Sequence, residues 1–251
     1  MDMEFLPTGR GYEIPGTWRV KGDEPLVCLV AHGFGSSMES PTARMLLEQL
    51  PLRGMGAAAF DFPAHGASRV DGEYLRLGNC MADLADMEAE IRRRAPGAEI
   101  VYFGSSFGAY TTLNYLAGGT RGGRRAFLRS AAVCMPALFH NRPQHEEEAM
   151  EANGHVILGK DYGYTRPLKV VKGFVEDLDA HDLFACWRRE MGEVRMIHGA
   201  ADRVIPLAEA GRFAGAFDIP LTVVPEGDHS LSIPGAPERV LEEAVRFFQG
   251  A

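Results

Sequence analysis

No apolar run in the 251 residues approaches the roughly 18–20 needed for a helix to span a bilayer, so a membrane-spanning chain is not expected. Cysteine is scarce. Cys28, Cys80, Cys134 and Cys186 form no C-x-x-C pair and have no metal-ligand spacing with histidine, which argues against a disulfide framework, a redox motif and a zinc site. They read as buried, inert thiols. Positive charge is in deficit, with 26 Lys and Arg against 34 Asp and Glu and a formal net charge of −8. A surface of that sign repels phosphate, so a nucleic-acid partner is not expected. The start, Met1-Asp2-Met3-Glu4-Phe5, has early acids and none of the basic and apolar stretches of a signal peptide, which suggests a cytoplasmic chain. The basic cluster Arg121, Arg124 and Arg125 is short, follows glycines and reads as the solvated start of a helix.

What is present is alternation. Short β-branched runs are separated by longer helical patterns, the mark of a mostly parallel sheet covered by helices, an α/β class. Strands are expected at Glu4–Leu6, Thr17–Val20, Leu26–Ala31, Ala57–Phe60, Glu99–Phe103, Ser130–Met135, Val194–Ile197 and Leu221–Val224. Ser40-Pro41 offers an N-cap and a first-turn proline for a helix running towards Leu50. Further helices are expected at Cys80–Arg94, Phe107–Leu116, Ala208–Phe217 and Glu238–Phe248. The stretch 137–192 is too long for a plain crossover. It reads as an insertion between two core segments, 1–136 and 193–251, with a β-hairpin joining Val156-Ile157-Leu158 to Lys169-Val170-Val171.

Gly104-Ser105-Ser106-Phe107-Gly108 fits the G-x-S-x-G pattern of a nucleophile held on a sharp strand-to-helix turn. Ile100–Phe103 before it is strand-like and Ala109–Leu113 after it is helical, so Ser106 sits where the pattern requires. A serine hydroxyl needs a base and a group that orients the base. His229, in Gly227-Asp228-His229-Ser230, follows the last expected strand, and Asp202, in His198-Gly199-Ala200-Ala201-Asp202, follows the one before it. All three residues then emerge at the carboxyl ends of parallel strands, where open α/β sheets form their crevices. Asp228 neighbours His229 too closely to orient it. Asp177, Asp179 and His181 lie in the insertion with nothing to fix their position, and His32 and His65 read as backbone-holding residues of tight loops. Backbone N–H groups of Phe34, in His32-Gly33-Phe34-Gly35, and of Phe107 are the expected donors to a developing oxyanion.

Taken with Asp61-Phe62-Pro63-Ala64-His65-Gly66-Ala67-Ser68, these motifs resemble the α/β-hydrolase superfamily from about Leu26 to the C-terminus outside the insertion. Ala64 and Ser105 depart from the family's usual glycine and histidine; neither change removes a catalytic atom. The resemblance implies a serine hydrolase working through an acyl-enzyme on a small ester, with no metal or organic cofactor. Within the superfamily the chain looks most like cinnamoyl and feruloyl esterases, with acyl-aminopeptidases and monoacylglycerol lipases as neighbours. The insertion would then be a lid, with Phe139, Tyr162, Tyr164 and Phe174 either shaping an acyl pocket or packing the lid onto the sheet. Amide or thioester cleavage by the same residues stays open, as do a non-catalytic small-molecule receptor and a homodimer.

Overall fold

Residues Leu26–Ala31 are apolar on every position because their strand is covered on both faces and paired on both edges. The computed structural model describes residues 3–119 and 124–250. Its strands are β1 (Met3–Pro7), β2 (Glu13–Arg19), β3 (Leu26–Ala31), β4 (Gly56–Phe60), β5 (Glu99–Ser105), β6 (Arg125–Arg129), β7 (His155–Leu158), β8 (Leu168–Val171), β9 (Glu193–Gly199) and β10 (Leu221–Val224). Eight of them form one sheet in the order β1-β2-β4-β3-β5-β6-β9-β10. The pairs β1/β2 and β2/β4 are antiparallel, and every later neighbour is parallel. This is the α/β-hydrolase fold.

The helices are α1 (Pro41–Gln49), α2 (Leu77–Arg94), α3 (Phe107–Ala117), α4 (Met135–His140), α5 (Gln144–Asn153), α6 (Lys172–Asp179), α7 (Leu183–Cys186), α8 (Leu207–Ala216) and α9 (Ala236–Gln249). The two-residue period of a strand divides the core between them. Val27, Leu29 and Ala31 of β3, with Ile100 and Tyr102 of β5, pack under α2 and α3. Cys28, Val30, Val101 and Phe103 point the other way, under α1 and α9. In α2 the buried Leu77, Cys80, Leu84, Met87 and Ile91 recur at spacings of three and four, the stripe an amphipathic helix needs. Ser40 caps α1 by accepting the Ala43 N–H at 3.3 Å, with Pro41 in the first turn. All four cysteines are free thiols. Among the described residues no helix is long and apolar enough to cross a membrane.

Two sequence expectations need correction. The sixth strand runs over Arg125–Arg129, not Ser130–Met135. The apolar run Ala131–Met135 is buried, but as the turn leading into α4; Ser130 has φ 48°, which ends the extended backbone. The second concerns the basic cluster. Arg125 opens β6 and pairs with Glu99 at 2.8 Å, and Arg124 lies 3.3 Å from the Glu88 carboxylate; neither starts a helix. Arg121 lies outside the described residues.

Between β6 and β9 the chain carries α4 to α7 and a two-stranded antiparallel sheet. Val156 faces Val170 and Ile157 faces Lys169 across it. Several polar ties fix this segment on the sheet's carboxyl edge. Thr165 N–H donates to the Gly35 carbonyl at 3.0 Å, Arg166 to the Ser68 carbonyl at 2.9 Å, and Tyr110 OH to the His181 carbonyl at 2.7 Å.

Candidate active site

The turn from β5 into α3 puts Ser106 at φ 51° and ψ −112°, a conformation that costs an L-residue about 1–3 kcal/mol. The surroundings hold it there. Ser106 N–H donates to the Arg129 carbonyl at 2.9 Å, and its own carbonyl accepts from Ala109 and Tyr110 at 3.0 and 3.1 Å. The glycines two residues away are required by space. A Cβ at Gly104 would lie 2.6 Å from Ala109 Cα, and one at Gly108 would lie 2.2 Å from the Ala31 carbonyl oxygen. Both obstacles are backbone and cannot swing aside. Gly108→Ala is therefore expected to destabilise the protein by about 2–4 kcal/mol. Gly211→Ala, in α8 with nothing within 4 Å of its added methyl, should stabilise by about 0.5–1 kcal/mol. Urea midpoints of the two variants check the pair; equal shifts would contradict the steric reading.

His229 and Asp202 arrive from the loops after β10 and β9. Ser106 Oγ lies 3.0 Å from His229 Nε2, and His229 Nδ1 lies 2.8 Å from Asp202 Oδ2. With Nδ1–H donating to the carboxylate, Nε2 is the acceptor facing the serine hydroxyl. Asp202 has no exposed side-chain surface. Its Oδ1 accepts the N–H groups of Val204 and Ile205, both at 2.8 Å, and His198 Nε2 lies 3.2 Å from Oδ2. Burial alone would raise the carboxyl's pKa; the bonds from His198, His229 and Ile205 outweigh it and hold the group well below the usual carboxylate range.

His32 sets the neighbouring loop. Its Nδ1 lies 2.7 Å from the Gly33 carbonyl, while Nε2 accepts the Phe62 N–H at 3.1 Å. Burial pushes this imidazole down to about 4, so it works as a neutral tautomer. Because a trans peptide points its C=O and N–H in opposite directions, fixing the Gly33 carbonyl turns the Phe34 N–H away from His32. Phe107 is the first residue of α3, so its N–H has no partner within the helix. Neither N–H has a protein acceptor among the described hydrogen bonds. His65 is buried as well, with Nδ1 2.9 Å from the Pro63 carbonyl.

Ser106 and His229 open into a cavity of about 920 Å³ between the sheet edge and the 137–192 segment. Phe34, Phe139, Tyr162 and Tyr164 are on its wall. Phe34 is the hub, with ring centroids 5.5 Å from Phe139, 5.8 Å from Tyr164 and 5.4 Å from Phe107. Phe174 is a correction: it is fully buried, does not line the cavity, and stacks behind Phe34 at 5.6 Å. It packs the segment down instead of touching a ligand. Sequence reasoning also missed Arg129, at the cavity wall, and His198 beside Asp202. Arg129 escaped because the strand was expected to start after it. The only signal for His198 was its place four residues before Asp202 at a strand end.

Among the described residues, no three His, Cys, Asp or Glu side chains are grouped to hold a metal ion. The arrangement suits one chemistry: a hydroxyl whose proton passes to a carboxylate-oriented imidazole while two backbone N–H groups wait for an oxyanion.

A family model described as serine aminopeptidase, S33 (Hydrolase_4) matches residues 23–158, more than half of the chain. No curated protein sequence matches significantly. Among solved structures the chain is similar to α/β-hydrolase domain-containing protein 10 from mouse, at 18% identity and a TM-score of 0.80, covering 100% of this chain and 99% of that one. It is also similar to Est1E from Butyrivibrio proteoclasticus with ferulic acid bound, at 15% identity and a TM-score of 0.81 over 98% and 99%. A third is a monoacylglycerol lipase from Paleococcus ferrophilus, at 17% identity and a TM-score of 0.73 over 95% and 99%.

Proposed function

The chain belongs to the serine aminopeptidase S33 family of hydrolases, and on that premise we propose that it is a carboxylic-ester hydrolase acting through an acyl-enzyme formed on Ser106. The observation that carries the proposal is the unbroken relay of 3.0 and 2.8 Å from Ser106 through His229 to Asp202, open to an aromatic-walled cavity. In this reading His229 takes the Ser106 proton as Oγ attacks the acyl carbon. The Phe34 and Phe107 N–H groups hold the oxyanion, and His229 returns the proton to the leaving alcohol. Water then repeats the sequence and releases the acid. Asp202 keeps the imidazole oriented and balances its positive charge.

The wall supports a choice of substrate class. Rigid rings of Phe34, Phe139 and Tyr164 favour a flat acyl group, for which offset and edge-on contacts add about 0.5–1.5 kcal/mol beyond area burial. Small aromatic esters of the hydroxycinnamoyl type are therefore the proposed substrates, and the ferulic acid held by Est1E supports that choice. The 137–192 segment serves as the lid that shapes the acyl pocket. An aryl-ester panel varying acyl length and aromaticity, with a monoacylglycerol and an aminoacyl anilide included, tests the reading. Cinnamoyl-type esters should exceed straight-chain esters of equal carbon number by about 10-fold in kcat/KM. A preference for long acyl chains, or for the anilide, would overturn it.

A further inference from the structure

Arg129 is a buried cation that the relay does not use. Only 9% of it is exposed, yet it lines the cavity with Ser105, Ser106 and His229. Its Nε donates to Ser105 Oγ at 3.2 Å and its Nη1 to the His229 carbonyl at 3.1 Å. Both acceptors are neutral, and no carboxylate lies within 4.0 Å among the described residues. A guanidinium carries five N–H donors, so most of this one's capacity is uncommitted. The acids that act on it from further away are occupied. Asp228 accepts from Ser232 N and Oγ at 2.7 and 2.8 Å, and Asp202 accepts from Val204 N, Ile205 N and His229 Nδ1, each at 2.8 Å.

A desolvated charge without an adjacent counter-ion is costly, and two neutral acceptors offset only part of that cost. Burial pushes the guanidinium down to about 10, with Asp228 and Asp202 opposing, so it keeps its proton at neutral pH. The other charged groups on the wall are Arg142 and Glu146, both from the 137–192 segment. Glu146 accepts a hydrogen bond from Tyr162 OH, and Arg142 donates to the Phe139 carbonyl at 2.8 Å. Neither is within ion-pair distance of Arg129.

We propose that Arg129 is a specificity-determining residue that binds a carboxylate carried by the ester substrate, beside Ser106. This deepens the hydrolase reading and rests on it. A planar carboxylate meets a guanidinium through two parallel charge-assisted bonds, and the burial of Arg129 strengthens them. The Ser105 hydroxyl and the His229 carbonyl hold the guanidinium in place before the ligand arrives.

The test compares kcat/KM for two matched pairs of esters. The para-nitrophenyl monoester of suberic acid against its methyl ester carries the charge on the acyl side. The butyrate ester of para-hydroxybenzoic acid against that of its methyl ester carries it on the leaving group. In the wild-type protein the free carboxylate should be favoured by about 10- to 100-fold in one pair, which also tells which side Arg129 faces. Arg129→Met should bring that ratio to about one, chiefly through KM, and Arg129→Lys should restore part of it. A residue that only steadied His229 would slow both members of a pair alike and leave the ratio unmoved. A wild-type preference for the methyl esters in both pairs, or a ratio that survives in Arg129→Met, overturns the inference while the hydrolase reading stands. If the wild-type protein cleaves no ester and does not label with a fluorophosphonate, it is the hydrolase reading that fails. Should Arg129→Met not fold, the wild-type ratio and Arg129→Lys decide.

Discussion

Ser106→Ala is expected to lower kcat on any ester the protein cleaves by about 10 000-fold or more, with KM little changed, and to abolish labelling by a fluorophosphonate. The size follows from what is lost. Removing the hydroxyl eliminates the attacking atom and leaves the imidazole without a proton to take, so only the oxyanion donors and substrate binding continue to help. Stability provides a second, independent readout. Alanine at this position keeps a Cβ in the strained backbone of φ 51°, whereas glycine adopts that region without it. Ser106→Gly should therefore be as inactive as Ser106→Ala yet more stable by about 1 kcal/mol, the relief of strain exceeding the entropic cost of the added freedom. Equal melting temperatures for the two variants would mean that the elbow stores no strain. A Ser106→Ala protein retaining a tenth of the wild-type rate would mean that Ser106 is not the nucleophile.

The elbow was legible because its sequence and its geometry obey the same constraint. Glycines two residues to either side of Ser106 are visible in the chain, and a Cβ on either would lie only 2.6 or 2.2 Å from backbone atoms. The positions of Asp202 and His229 could be read because each directly follows an apolar strand, and a parallel sheet collects such ends on one edge. What failed was the sixth strand, and for a physical reason. Its inner residues Ala126, Phe127 and Leu128 are flanked by Arg125 and Arg129, which resemble surface positions. Burial of Arg129 depends on a cavity that does not exist until the strands after β6 and the 137–192 segment are assembled. The apolar run after it was the stronger local signal, and it is buried, but under the loop and not in the sheet. Phe174 could not be decided between pocket wall and lid packing for the same reason. Its helix position shows an inward face, but whether that face meets empty space or the Phe34 ring is settled only by packing.

Asp202→Asn should lower kcat by about 10 000-fold, with a smaller but measurable loss of stability, because three donors converge on a side chain that would keep only one acceptor atom. The Val204 and Ile205 N–H groups meet Oδ1, and His229 meets Oδ2 while His198 Nε2 lies 3.2 Å away and bonds the Ile205 carbonyl. If the amide turns its oxygen towards the backbone, its NH2 faces His229 and forces Nδ1 to accept. The proton then sits on Nε2, pointing at Ser106, and the imidazole cannot act as base. If the amide turns the other way, NH2 confronts two backbone N–H groups, which costs about 1–3 kcal/mol in a buried site. The first orientation keeps the fold and loses the chemistry. The pH dependence of stability separates charge from shape. The Asp202 carboxyl lies below its unfolded value, so the stability it contributes is complete above the usual carboxylate range and is lost progressively as pH falls through the folded value. Denaturant midpoints of wild type and Asp202→Asn should therefore differ most near neutrality and begin to converge only as pH falls below about 4. A gap that stays constant from neutral to acid pH would show that the ionised carboxylate is not what stabilises this corner, and a variant retaining a tenth of the wild-type kcat would remove Asp202 from the relay.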